Sequence, residues 1–462
     1  MLFERIESPG LAHYSYIVGD GGEAVVIDPR RDAEVYVDVA RSHGCRVTTV
    51  FETHRNEDYV VGSAELAART GAEVWHADGQ LVYQYGRPAE PGQTWGVGRY
   101  RLEALHTPGH TPNGHSYLLR DTDGSPWTVF TGDTLFAGEV GRTDLVDAAR
   151  SREMAALLHE SLFGTLLPLG DEIIVAPGHG AGSVCGAAIA QRAWTTIGIE
   201  RRRNAKLQIR DRDAFVDAAG GVGDRPPYFR RVEVLNLEGA PLPRGLPAPP
   251  PLTPQAFVAA AQDAVVVDTR WETAFAAAHV PGSLSLWIDG LPLYAGWLLQ
   301  YDRPILLVID GDDPAEAVRR LVRLGYDDVA GFLSGGMWAW HMAGFDSASI
   351  GTLNASQLCG RIDRGDGPAL LDVRSAREIE GAGAIEGALR IPLGELAGRL
   401  GEVPRDGRVC VLCGGGLRSM TAASLLRGAG RDDVSVMLGG LEAWNSTTCP
   451  VRLGAAGGGE RT

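Results

Sequence analysis

A chain of 462 residues is too long for one small binding module and predicts two to four domains at roughly 100–200 residues each. With 44% hydrophobic, 22% charged and 7% aromatic residues, it holds enough apolar material for several buried cores, which excludes a disordered chain. A formal net charge of −15 disfavours nucleic acid and acidic membrane surfaces, because phosphates are held by clustered Lys and Arg. Small substrates are the expected partners.

The opening MLFERIESPG places Glu4, Arg5 and Glu7 where a secretory leader needs apolar residues, which predicts a cytoplasmic protein. Apolar runs such as Ala264 to Val267 and Ile305 to Ile309 fall far short of the ~18 residues of a membrane helix. Lys206 is the single lysine, so Schiff-base chemistry has almost no residue to use. The cysteines Cys45, Cys185, Cys359, Cys410, Cys413 and Cys449 are thinly spread, which predicts reduced thiols rather than a disulfide framework.

In chain order, residues 1–240 open with the hairpin-like strands YSYIVG and EAVVIDP. Helices such as DAEVYVDVARSHG then alternate with short strands, which predicts a layered αββα domain. Four segments carry chemistry: ETHRNEDYVVGS from Glu52, HTPGHTPNGHSY from His106, TGDTLF from Thr131, and APGHG containing His179. Each sets a His or Asp in a Gly- or Pro-rich turn after a β-rich run, where ligands from distant segments can converge at strand ends.

The stretch GAPLPRGLPAPPPLTP favours extended backbone and cannot continue a helix, so a linker is expected over 241–254. Beyond it the chain repeats. VVVDTR ending at Arg270 matches LLDVR ending at Arg374, and GGMWAW ending at Trp340 matches GGLEAW ending at Trp444, both at an offset of 104 by residue number. Short β-branched runs alternate with helical patterns such as AEAVRRLVRLGY. These predict two α/β domains with mostly parallel sheets, 255–350 and 351–455, followed by a disordered tail over 456–462.

In the last domain, VCVLCGGGLRSMTAASLLRG runs from a strand into a helix, with Cys413 first in the turn and Arg418 at the helix start. Backbone N–H groups of Gly414, Gly415, Gly416 and Leu417 would face the sulfur and its substrate. The helix N-terminus and guanidinium would add positive potential that favours a thiolate or persulfide anion. Cys410 and Cys413 form a CxxC, but strand alternation sets them on opposite faces and argues against a redox pair. The repeat offset carries Cys413 and Arg418 onto Ile309 and Pro314, so the middle copy lacks both groups and is read as a spacer or docking domain.

Taken together, the four N-terminal segments resemble the metallo-β-lactamase fold. That superfamily usually carries THxHxDH, whereas this chain has His54, Asn56, Asp58 and Tyr59, so each metal of a dinuclear hydrolase site would lose a ligand. His54, His110 and Asp133 survive. Two imidazoles and one carboxylate suit a mononuclear ferrous ion that binds substrate and dioxygen side by side, and zinc with a bound water is also chemically open. The segments LAHYSYIV, VVIDPRRD, HTPGHTP, TGDTLF and GRTD look like the persulfide dioxygenase branch, and this resemblance implies iron ligands at His54, His110 and Asp133. Asp58 and His179 either complete a vestigial second metal site or, the favoured reading, stand in the shell around the first. Arg142 of GRTD either holds an anionic substrate group or pairs with Asp144, and Cys185 is either a small buried residue or a sulfur-accepting thiol.

The pattern Cys413-x-x-Gly416-x-Arg418-Ser419, with LLDVR and GGLEAW around it, resembles the rhodanese family, which implies that Cys413 is a nucleophile carrying sulfane sulfur. AIEGA at Ala384 to Ala388 departs from that family's usual segment. The middle copy keeps DTRWE and HVPGS and resembles the same fold without activity. Over its full length the chain is similar to bacterial fused persulfide dioxygenase–sulfurtransferases. That resemblance implies oxidation of a low-molecular-weight persulfide by dioxygen to sulfite and thiol, coupled to formation or use of thiosulfate at Cys413. Two other readings stand beside it: a zinc thioester hydrolase with an accessory sulfurtransferase domain, and a non-catalytic sulfur carrier or sensor. The carrier thiol and any homo-oligomer are left open.

Overall fold

The structure, a computed structural model, describes residues 1–186, 188–221, 225–242 and 245–449, and the backbone of 453–454. The tail expected to be disordered lies outside the described residues. Two compact units divide the chain, one formed by Met1–Leu246 with Val322–Gly325 and the other by Pro247–Leu321 with Tyr326–Thr462. Among the described residues, no helix is long and apolar enough to cross a membrane.

The first unit is built on two six-stranded sheets. One runs in sequence order through Leu2–Ser8, His13–Asp20, Glu23–Ile27, Arg46–Glu52, Glu73–His76 and Arg87–Pro88; it is antiparallel at its start and parallel from Glu23–Ile27 onward. The other pairs Thr94–Val97, Tyr100–His106, His115–Arg120 and Pro126–Gly132 antiparallel, then adds Ile174–Pro177 parallel to Pro126–Gly132 and Thr195–Thr196 at its edge. Val18, Val25, Ile27 and Phe51 of one sheet meet Leu102, Tyr117, Leu119 and Phe130 of the other in a shared apolar layer. The outer faces are covered as well. Tyr36, Ala40 and Leu66 from the helices Glu34–Ser42 and Ser63–Thr70 pack on the first sheet, and Leu158 of the helix Ser151–Glu160 and Phe215 of Arg212–Ala219 pack on the second. Strands covered on both faces become continuous apolar runs, which is why AVVI reads as unbroken rather than alternating. This is the αββα arrangement.

The second unit contains two five-stranded parallel sheets of identical order. The first runs Pro251–Leu252, Val329–Leu333, Ile305–Val308, Val265–Asp268, Leu284–Ser285. The second runs Gly351–Leu353, Val434–Met437, Val409–Leu412, Ala369–Asp372, Leu389–Arg390. The sequence repeat is therefore a repeat of fold. In each copy the Arg of the DxR pair turns back on its Asp, Arg270 on Asp268 and Arg374 on Asp372, each at 2.6 Å. The two copies share one core: Phe275 and Ala276 of the first lie in the same buried cluster as Leu371, Cys413 and Met420 of the second.

The thiols differ from expectation. Cys359 and Cys449 form a disulfide with Cα atoms 5.9 Å apart, while Cys45, Cys185, Cys410 and Cys413 are free. The two partners are separated by 90 positions and meet because the helices Ala355–Asp363 and Gly440–Asn445 pack against each other, a juxtaposition that spacing alone does not encode. Cys410 and Cys413 do lie on opposite faces of their sheet, Cys410 in one core cluster and Cys413 in the other.

Candidate functional sites: a buried metal centre and a thiol loop

Four strand ends deliver the polar centre of the first unit. His54 follows Arg46–Glu52, His110 lies between Tyr100–His106 and His115–Arg120, Asp133 directly follows Pro126–Gly132, and His179 follows Ile174–Pro177. All four side chains are buried. Asp133 Oδ2 stands 3.5 Å from His110 Nε2 and 4.0 Å from His54 Nε2. His179 bridges two carboxylates, with Nδ1 2.8 Å from Asp133 Oδ1 and Nε2 2.9 Å from Asp58 Oδ2. Gly178 permits this closeness, since a Cβ there would lie 2.7 Å from Asp133 Oδ1.

The imidazoles are oriented from behind. Asp28, held at a φ of 48° that an L-residue rarely adopts, accepts from the Thr53 amide at 2.8 Å and from its hydroxyl at 2.7 Å. The Thr53 hydroxyl has one proton and gives it to Asp28, so at 2.9 Å it accepts from His54 Nδ1. That fixes the tautomer with the Nε2 lone pair facing the centre. His110 Nδ1 likewise donates to the Arg142 carbonyl at 2.8 Å.

Glu57, which the motif reading passes over, enters the same centre, with Oε1 3.0 Å from His110 Nε2. His110 Nε2, Glu57 Oε1 and Asp133 Oδ2 are buried atoms without a hydrogen-bond partner. Orphaned donors of these types facing one another fit a divalent metal ion. Burial works against charge at His110, yet the Glu57 and Asp133 carboxylates outweigh it and raise its pKa to about 9. Burial also opposes ionisation of Asp133, but the surrounding imidazoles, His179 first, hold it far below the usual carboxylate range.

The two positions that depart from THxHxDH serve other ends. Asn56 donates to the His54 carbonyl at 3.3 Å, and Tyr59 packs against His13 in a tilted arrangement with ring centroids 4.0 Å apart. Arg142 grips Asp144 through two bonds of 2.9 and 2.7 Å and also donates to the Val184 carbonyl. Cys185 is buried beside Phe136 and Ile189, and its sulfur falls within reach of Asp58 and His179, and of His110 and Asp133. Burial and these carboxylates push its thiol well above the ordinary value. A small pocket beside the centre is lined by Thr53, Thr107, Thr111, Thr131 and Thr134 together with His54, His110 and Asp133.

In the second unit, Cys413 follows the strand Val409–Leu412, and its Sγ accepts from the Gly416 amide at 3.1 Å. Gly416 precedes the helix Leu417–Gly428 at a φ of 110°. Arg418 is clamped by Glu378 at 2.7 and 2.6 Å, and Glu378 also closes a capping box on Ser375. With Arg418 as the first cause, Glu378 is lowered to about 2. Tyr294 of the middle copy packs against the core that holds Cys413, and burial raises its phenol above the ordinary value. Glu378 and Tyr294 were missed in the sequence because their partners are far away in it. In the middle copy, Ile309 lines a cleft of about 180 Å³ with Trp271, Trp287 and Glu316, where the third domain has its thiol loop.

Comparison with known proteins agrees with this architecture. Residues 8–179 match the metallo-beta-lactamase superfamily, and residues 253–343 and 354–447 each match the rhodanese-like domain. The chain thus belongs with proteins that fuse a metallo-beta-lactamase domain to tandem rhodanese domains. More particularly, it is 29% identical to a metallo-beta-lactamase from Staphylococcus aureus subsp. aureus COL, a structure that aligns with a TM-score of 0.63 over 72% of this chain and 98% of that one. Among curated relatives, the hydroxyacylglutathione hydrolase GloC of Haemophilus influenzae is 28% identical over 42% of this chain and 91% of its own length. The mitochondrial persulfide dioxygenase ETHE1 of Bos taurus is 28% identical over 39% of this chain and 68% of its own length. Three further hydroxyacylglutathione hydrolases are spanned over 52%, 66% and 65% of their length.

Proposed function

We propose that the protein is a mononuclear iron persulfide dioxygenase joined to a rhodanese sulfurtransferase. The proposed domain limits are 1–240, 255–350 and 351–455, and the proposed location is the cytoplasm. The observation that carries this reading is the donor set: His54, His110 and Asp133 converge, while Asn56 and Tyr59, which a dinuclear hydrolase would use as ligands, are turned to other partners. Similarity to ETHE1 and the matched rhodanese domains support it, and similarity to GloC supports the rival zinc hydrolase.

A ferrous ion held by these residues would supply the route by which dioxygen oxidises a persulfide sulfur. The balance is RSSH + O2 + H2O → RSH + SO3²⁻ + 2H⁺. The residues around it hold the geometry: Asp28 and Thr53 aim His54, the Arg142 carbonyl aims His110, and His179 fixes one oxygen of Asp133 so that the other faces inward. In the second unit the loop of Cys413 would carry the sulfane sulfur, Cys–S–S⁻ + SO3²⁻ → Cys–S⁻ + S2O3²⁻. The Gly416 amide would stabilise the sulfur anion, and Arg418, held by Glu378, would meet the incoming dianion.

Elemental analysis of anaerobically purified protein, followed by oxygen-electrode traces with a panel of persulfides, tests the scheme. About one iron per chain and persulfide-dependent uptake are expected; zinc with no uptake would favour the hydrolase. His110→Ala should abolish oxygen uptake and spare sulfur transfer, and Cys413→Ser should do the reverse. Loss of both activities in each variant would sink the two-site scheme.

A further inference from the structure

We infer that Glu57 is a fourth protein ligand to the metal, a position that the departures at Asn56 and Tyr59 left to another residue. The inference deepens the reading above and rests on it only for the identity of the ion. Donor atoms bound at about 2.1 Å lie roughly 3.0 Å apart when adjacent and roughly 4.2 Å apart when opposite. The separations of 3.0 Å from Glu57 Oε1 to His110 Nε2, 3.5 Å from His110 Nε2 to Asp133 Oδ2 and 4.0 Å from His54 Nε2 to Asp133 Oδ2 all fall in that interval. His54, Glu57 and His110 also form one mutually close donor group.

Without a cation, Glu57 is held by a protonated His110 alone. A carboxylate is almost never fully buried unless it is paired, and this one is 2% exposed with no other donor to its Oε1. The group it faces is His110 Nε2, since Nδ1 already donates to the Arg142 carbonyl; a proton on Nε2 pairs with Glu57 in the absence of a cation, and a bound cation takes the place of that proton. Two acceptors 3.0 Å apart in a dry site repel unless a proton or a cation lies between them. Asp133 Oδ2 turns the same way, and a divalent cation satisfies all three atoms at once. The neighbouring Asn56 donates instead to the His54 carbonyl, so the donor that the superfamily places at 56 is supplied here from 57. Two imidazoles and two carboxylates would neutralise a divalent ion and leave two of six positions, the number that a substrate sulfur and dioxygen need.

The test uses full-length protein stripped of metal by chelation and titrated anaerobically with Fe(II) and, separately, with Co(II), whose visible bands report its ligand set. Glu57→Gln keeps the size and removes the charge. The expected result is a loss of Fe(II) affinity of about 100-fold or more, beyond the ten- to hundredfold typical of residues that only orient a ligand, with displaced Co(II) bands. Unchanged affinity, or weaker affinity with superimposable Co(II) bands, overturns ligation; the second result would make Glu57 a positioning residue for His110. If the Gln variant does not fold, Glu57→Asp retains the charge on a shorter arm and should also displace the Co(II) bands; native bands would overturn the inference. Failure of the dioxygenase reading is separable: it would appear as absent oxygen uptake by the wild type, while the Co(II) comparison still counts ligands.

Discussion

Thr53 shows how a candidate metal centre depends on residues that stand behind its imidazoles. It accepts a hydrogen bond from His54 Nδ1 and donates its own to Asp28, so the direction of an entire imidazole depends on one hydroxyl. Thr53→Val keeps the shape and removes that relay. Ferrous affinity should fall about 10- to 100-fold while sulfur transfer at Cys413 is untouched, as anaerobic titration and a thiosulfate assay would show. An unchanged affinity would mean that His54 is oriented by packing alone. The residues that lie in ordered motifs, His54, His110 and Asp133, were legible in the sequence because turn, spacing and residue type coincide at each. Glu57 was not, since a charge between Asn56 and Asp58 reads by default as solvated, and only the fold reveals that it is buried.

At the scale of elements, the thiol loop is a strand end and a helix start held together by a third segment. The helix Ala376–Ala382 begins with the Ser375–Glu378 capping box, and the same Glu378 carboxylate clamps Arg418 forty positions later. Its pKa is depressed to about 2 in the folded protein, so the stabilisation is present above the ordinary glutamate range near pH 4.5 and is lost as the pH falls toward 2. Because the pair is partly solvated, Glu378→Gln should lower stability at pH 7 by about 1 kcal/mol or less and flatten the acid limb between those values in denaturant titrations. A steeper acid limb in the variant would contradict this. The turn itself was readable from CGGGLRS, whereas its clamp was not: a capping box announces a helix start and carries no sign of a distant guanidinium. The Cys359–Cys449 disulfide escaped for the same reason, because it joins the helix Ala355–Asp363 to the segment that follows Gly440–Asn445, a contact made by packing and not by spacing.

Across the second unit as a whole, the repeat at an offset of 104 correctly announced two copies of one fold, and the missing thiol at Ile309 suggested a spacer or docking domain. The two copies are packed on one another. Phe275, Ala276 and Ile350 share a buried cluster with Met420 and Val436, and the Ser285 amide donates to Ser424 Oγ at 3.1 Å. Cutting between them, after residue 350, should strip apolar cover from both fragments, so the isolated third domain should melt earlier and bind a hydrophobic dye, while a fragment starting at residue 247 should retain native sulfur transfer. An equally stable third domain would refute the shared core.

Tyr294 gives this union a further meaning. A copy without a nucleophile still packs the Tyr294 ring against the buried cluster that holds its twin's Cys413, so the two copies are complementary at that wall. Sequence drift in the middle copy is then constrained unevenly. The cleft around Ile309 lies under no such constraint, whereas the helix Leu291–Leu298, which carries Tyr294, must keep fitting the core of the other copy.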